Sequence, residues 1–239
     1  MQRFNASSGP FEYQLRFPPD EIDDMCLEAL EKAGCIPKAP EPIRIDRLIE
    51  KQFTPNISYE EIKPGVLGYT AFNSNGSIAC VGVSSSLEDG RTASERRLRS
   101  TLAHEGGHCL LHPSLFMQDQ GQGRLGDHGN VSLKDKRFLC RGNDIDPSAT
   151  RQTRRYDGRW WEWQANRAIS GFLLPKHLVR MATDSFLTKA LVTGIASLPA
   201  TARAAAERNI ATVFEVNPVV AKIRLSEMFP DKTGEQIEF

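Results

Sequence analysis

His104, Glu105 and His108 stand in a His-Glu-x-x-His pattern inside Thr101-Leu-Ala-His-Glu-Gly-Gly-His-Cys-Leu-Leu-His112. On a helix, residues four apart share a face, with Cβ atoms about 5–6 Å apart. Two imidazoles so placed can converge on one zinc ion at about 2.0–2.1 Å from each nitrogen. Glu105 sits one residue round the helix from His104, so its carboxylate reaches a metal-bound water rather than the metal. The pattern thus points to a mechanism, hydrolysis by an activated water, as well as to a metal. His is scarce in this chain, five in 239 residues, so the spacing is an uncommon one.

Two His do not complete such a site; a third protein ligand is needed. Glu162, in Glu162-Trp-Gln-Ala-Asn166, offers a hard oxygen and a His₂Glu set. Asp127, His128 and Cys140 are its rivals. Ala165 and Ala168 suit a helix packed tightly on the first, and Asn166, one turn beyond Glu162, is placed to hydrogen-bond a ligand. A His₂Glu set favours Zn²⁺, with Mn²⁺ as the second candidate. His112 continues the same helix face and is read as a partner of the ligands or as a cation at the helix C-terminus. Tyr156 and Arg141 are candidate oxyanion donors.

Helices must position these groups. Thr92-x-x-Glu95 has the form of a capping box, which starts a helix over 92–112 that Pro113 stops. Gly106 and Gly107 each cost that helix about 1 kcal/mol relative to Ala, so something must approach it closely there. A second helix spans 160–173. Of Trp160, Trp161 and Trp163, at least two are expected in the core.

Residues 1–17 read as a loose arm, followed by helices near 20–32 and 43–52. Val66–Phe72 and 78–83 read as strands joined by a hairpin in which Asn75-Gly76 supplies positive φ. Residues 114–155 form a long glycine-containing loop with one short strand at 136–140. Three helices over 176–229 close the chain, which frays from Pro230. The expected organisation is an arm and helix over 1–40, a core over 41–180 and a helical segment over 181–239. The strand before the His-bearing helix is expected to take an extended substrate by strand addition.

Composition sets outer bounds. The chain is 40% hydrophobic and 25% charged, enough apolar residues for a sizeable core. Net charge is zero, so nothing draws the whole protein to nucleic acid or anionic lipid. Arg96, Arg97 and Arg99 read as a solvated helix face. Arg151, Arg154 and Arg155 have Asp144, Asp146 and Asp157 nearby, which argues against DNA contact. There is no signal-peptide core and no membrane-length apolar run. Five Cys without C-x-x-C pairing suit reduced thiols in a cytoplasm.

Leu102-Ala-His-Glu-Gly-Gly-His-Cys-Leu-Leu-His112, Glu162-Trp-Gln-Ala-Asn-Arg-Ala168 and Phe172-Leu-Leu-Pro175, in that order, resemble the ImmA/IrrE metallopeptidases. The resemblance covers about residues 41–180. It implies an α+β, zincin-like fold: a small twisted sheet, an active-site helix and a Glu-bearing helix across it. It implies His104, His108 and Glu162 as metal ligands and Glu105 as general base. It further implies a cytoplasmic endopeptidase that cuts a helix-turn-helix repressor, releasing genes of mobile elements or stress responses. Two features depart from the family pattern: Gly106 stands where an apolar residue is usual, and 53 residues separate His108 from Glu162. The competing expectation is a regulator that binds metal without cutting, or a toxin–antitoxin-type partner.

Overall fold

The computed structural model describes residues 2–5, 10–54, 56–116, 127–128, 131–132, 136–142, 159–189 and 196–230, with backbone only at 127, 128, 132 and 189. It is a mixed α+β structure. The side chains of Asp127 and His128, all of Tyr156, and the Arg151, Arg154 and Arg155 group lie outside what is described.

The expected loose arm is instead a hairpin of β1 (Gln2–Asn5) and β2 (Tyr13–Arg16), paired antiparallel. Its hydrophobic alternation, Phe11, Tyr13, Leu15 and Phe17, is buried in the main core. Helix α1 (Pro19–Ala33) begins with Pro at its first position, where a missing N–H costs nothing. It ends at Gly34, whose φ of +61° lets Gly34 and Cys35 return their N–H groups to Glu31 and Leu30. Helix α2 (Ile45–Gln52) follows.

Among the described residues the main sheet has six strands in the order β3-β5-β4-β8-β7-β6. These are β3 (Ile57–Glu60), β4 (Val66–Phe72), β5 (Ile78–Ser84), β6 (Asp127–His128), β7 (Val131–Ser132) and β8 (Arg137–Arg141). Among the described pairings only that of β3 with β5 is parallel. The β4–β5 turn takes its positive φ from Gly76 alone. Asn75 contributes its side chain, accepting from the Ser77 N–H at 3.0 Å.

Helix α3 (Thr92–Leu111) lies against β4, β5 and β8, and α4 (Trp160–Leu173) packs on it. The capping box is not formed. Arg91 is the N-cap, no side chain caps the helix, and Thr92 is already inside it. Trp160 and Trp161 are buried and Trp163 is exposed. The remaining elements are α5 (Lys176–Thr183), a short pair of β9 (Thr188–Lys189) and β10 (Ala196–Ser197), α6 (Ala200–Val213) and α7 (Pro218–Met228). One hydrophobic cluster runs from Phe11 to Phe229. Among the described residues no helix is long and apolar enough to cross a membrane.

A buried ion cluster ties the C-terminal helices to α1. Asp23 accepts two bonds from Arg224, each 3.0 Å, and pairs with Arg167 at 3.0 Å and Lys176 at 2.9 Å. Arg224 is 1% exposed. Arg99 is similarly committed: it donates to the Ile43 carbonyl and pairs with Glu215 at 2.7 Å, so it is not merely part of a solvated face. Removing one member of a buried cluster strands the others and costs about 3–5 kcal/mol. Asp23→Asn is therefore expected to lower the free energy of unfolding by about that amount, measured by denaturant titration; a loss below about 1 kcal/mol would show that the cluster is dispensable.

Candidate metal centre

α3 and α4 cross at their smallest residues. A Cβ built on Gly107 would lie 2.9 Å from Ala168 Cβ, 3.0 Å from Ala165 Cα and 3.1 Å from the Ala165 carbonyl oxygen. Glycine at 107 allows this approach, meeting the backbone at Ala165 and the small side chain of Ala168. Gly106 faces Phe172, where a Cβ would sit 3.4 Å from the ring, and is less constrained. The approach brings Glu162, in the first turn of α4, over the two histidines of α3.

His104 Nε2 lies 3.1 Å from His108 Nε2 and 3.2 Å from Glu162 Oε2, and His108 Nε2 lies 3.9 Å from Glu162 Oε1. Zinc with ligands at about 2.0–2.1 Å in a tetrahedron spaces them about 3.3 Å apart. The two contacts of His104 Nε2, to His108 Nε2 and to Glu162 Oε2, match that spacing, and the contact of His108 with the second carboxylate oxygen is longer. His104, Glu105, His108 and His112 are wholly buried and Glu162 is 4% exposed.

The hydrogen bonds behind the ligands fix which nitrogen carries each proton. The Leu15 carbonyl can only accept, so Gln164 presents its Nε2 to it at 2.7 Å. Gln164 Oε1 then faces His112 Nε2 at 3.0 Å, and that nitrogen must donate. Burial lowers the His112 pKa to about 4, against the Gln164 hydrogen bond, so the ring is neutral at pH 7. Its Nδ1 then accepts from His108 Nδ1–H at 3.0 Å. Burial first, then the neighbouring His104 and His112, hold the His108 pKa well below the usual imidazole range. His108 Nε2 is left as a lone pair aimed at the cluster. On the other ring, His104 Nδ1 donates to Asn166 Oδ1 at 3.1 Å, which leaves its Nε2 for the same purpose.

Two lone pairs and a carboxylate packed this tightly out of water demand a positive charge. The titration of the pair expresses that demand. Burial would lower the His104 pKa, but the adjoining Cys140 and Glu162 prevail and hold it well above the ordinary value. A proton on His104 satisfies the cluster, and so does a divalent cation. The donor set and its spacing fit the cation: His104, His108 and Glu162 are a group that could hold a metal ion.

Comparison with protein-family models and with curated proteins gives no match. The metal-centre reading rests on these side chains and their geometry.

Glu105 is held beside the cluster by β4. Thr70 Oγ1 donates to Glu105 Oε2 at 2.6 Å. Gly68, next on the same face of the strand, leaves space for the other oxygen; a Cβ there would sit 3.1 Å from Glu105 Oε1 and 2.7 Å from Thr101 Cγ2. From β8, the Phe138 ring stacks flat on His108, with centroids 4.2 Å apart and 12° between planes. Cys140 on the same strand is fully buried near His104, and burial pushes its pKa up to about 12. Arg141 is exposed at the end of β8.

Sequence reasoning missed Thr70, Gly68, Gln164 and Phe138. Gln164 was the one with a usable signal: it lies two residues from Glu162 in a buried helix, where an amide needs partners. The expected strand addition beside the His-bearing helix is opposed at β5, because β4 pairs along one edge and β3 covers Val81–Ser84 of the other.

The helix crossing and the hydrogen-bond relay can each be tested by one substitution. Gly107→Ala gains about 1 kcal/mol of helix propensity and loses about 1–3 kcal/mol to overpacking. Its stability should fall by no more than about 2 kcal/mol net while α4 is pushed off α3, so zinc affinity, measured by competition with a chelator, should fall; unchanged affinity would mean that the crossing does not set the site. His112→Ala breaks the relay that orients His108 and is expected to weaken zinc binding by about 10–100-fold. Equal affinity in that variant would show that the relay does not tune the ligand.

Proposed function

We propose that this chain is a zinc-dependent endopeptidase of the ImmA/IrrE type with a zincin-like core. The carrying observation is a buried His104, His108 and Glu162 cluster with a second acid, Glu105, held just outside it. A metal centre needing only structure has no use for that second acid. Zinc in this site would polarise a peptide carbonyl and make water a stronger acid. The chain supplies the rest. Glu105 takes a proton from the attacking water and returns it to the leaving amine. The Thr70 hydroxyl holds the carboxylate in place through Oε2. His112 and Asn166 fix the imidazoles. The three motifs shared with the family support a protein substrate, a helix-turn-helix repressor, in a cytoplasmic setting of stress response or mobile-element control. Mn²⁺ is the alternative metal.

One observation favours a second reading, a metal-binding regulator that does not cut: the two histidines and Glu105 are entirely enclosed, and Glu162 nearly so. Incubation with a co-encoded repressor separates the two. Cuts at one site support the peptidase, and stable co-purification without cuts supports the regulator. Within the peptidase reading, Glu105→Gln should keep zinc at full stoichiometry while cleavage falls by at least about 100-fold. Full activity in that variant would end the assignment of Glu105 as the base.

A further inference from the structure

The N-terminal hairpin and the first turns of α4 enclose a cleft of about 870 Å³, within the range of about 300–1,000 Å³ typical of small-molecule sites. The hydrolytic mechanism gives it no task. Among the described residues four large apolar side chains stand out into solvent. Two of them, Phe4 at 48% exposed and Trp163 at 46%, line this cleft, one from β1 and one from α4. Buried Trp160 adds a third ring. Exposed aromatic surface gathered at one place marks a binding site.

Charge in the cleft is one-sided. Arg16 is the single charged group among its lining residues. It is exposed and makes no hydrogen bond or ion pair among the described residues. The hairpin register sets its distance from the rings. Phe4 pairs with Gln14 and Gln2 with Arg16, so the Phe4 ring and the guanidinium stem from positions two residues apart, about 7 Å. They share one face, because the alternate residues Tyr13 and Leu15 go into the core. A ligand that meets both has a flat apolar body and an anion at its edge. Aromatic rings take the first by stacking, and a guanidinium takes a carboxylate through two parallel bonds.

The inner wall of the cleft also supports the metal centre. Gln164 and Trp160 both line it. Gln164 Oε1 accepts from His112 Nε2 at 3.0 Å, and the Trp160 ring meets the His112 ring edge-on, with centroids 5.7 Å apart. His112 in turn holds His108. A ligand packed on that wall restrains the two side chains that fix His112, and through them the orientation of a metal ligand.

We propose that this cleft binds a planar aromatic acid, with its carboxylate on Arg16 and its ring system against Phe4 and Trp163, and that occupancy tightens metal binding by His104, His108 and Glu162. The binding stands on the cleft alone; the coupling rests on the metal centre described above. Coupling between two sites is reciprocal, so metal must tighten the aromatic acid by the same factor.

Naphthalene-2-carboxylate is the probe, titrated calorimetrically into the full-length chain with and without zinc. The metal-free chain is expected to bind it at one site with a Kd of about 1 mM or below. The neutral naphthalene-2-carboxamide should bind at least about tenfold more weakly, for want of a charge-assisted bond. Arg16→Gln should weaken the carboxylate by about the same factor and leave the carboxamide unchanged. Trp163→Ala should weaken both by about threefold or more. Both residues are exposed, so neither change threatens the fold. Stoichiometric zinc should tighten the carboxylate by at least about fivefold, and saturating carboxylate should tighten zinc equally. A carboxylate bound on the metal itself would be indifferent to Arg16 and Trp163, so full affinity in both variants would overturn the proposal. Absence of saturation in the metal-free chain, or equal binding of the carboxamide, would also overturn it. Equal affinity with and without zinc, in a chain that holds zinc, would overturn the coupling. A chain that binds the carboxylate and no zinc would overturn the coupling together with the metal centre, while the binding at Arg16 stands.

Discussion

The distance between α3 and α4 governs this structure. A carboxylate from one helix meets two imidazoles from the other because Gly107 has no side chain and meets the backbone at Ala165 and the small side chain of Ala168. Every ångström added at that crossing is an ångström between Glu162 and the His pair. The glycines weaken α3 as an isolated helix, and burial between the sheet and α4 offsets the loss. Local propensity is given up here for a close approach, the trade expected where a site rather than stability sets the sequence.

That approach creates an electrostatic problem that the surrounding residues answer. Carboxylate and imidazole groups are costly to bury, and replacing such a cluster by apolar side chains often stabilises a protein. This cluster has an ordered set of hydrogen bonds behind it, from Leu15 through Gln164 and His112 to His108, and from Asn166 to His104. Each bond assigns a proton, and together they turn both Nε2 atoms toward the cluster, where a proton on His104 or a cation can sit. The relay begins on the N-terminal hairpin, so the segment at the very start of the chain helps to set the chemistry at its centre.

The His₂Glu set was legible because it is written in helical spacing, which survives in a single sequence as a period. His104, His108 and the turn from Glu162 to Asn166 all declare themselves this way. The three C-terminal helices and the β4–β5 hairpin were legible for the same local reasons. What was lost depends on partners far along the chain. Thr70 is one polar residue in an apolar strand, and only its register opposite α3 makes it the support of Glu105. The strand near 136–140 could be expected, but its place beside β4 could not. Residues 1–17 read as loose because four-residue strands are too short to show a period, although Phe11, Tyr13, Leu15 and Phe17 already alternate. The capping box failed because its sequence form does not compel its geometry: the helix takes Arg91 as its N-cap, one residue before Thr92.

The order of the sheet limits how any peptide could reach the centre. β4 carries the residues that touch Glu105, and its two edges are taken by β5 and β8. Neighbouring strands stand about 4.8 Å apart. A peptide added beyond β3 would lie three strand spacings from β4, about 14 Å, and one added beyond β6 would lie farther still. Neither edge serves the site. The position one spacing from β4, on the side where side chains meet both His104 and His108, is β8 itself, with Cys140 and Phe138 already in place. The far edge of β8 is covered by β7 only at Arg137 and Phe138 among the described residues, so a peptide strand laid along Leu139–Arg141 would lie two spacings from β4.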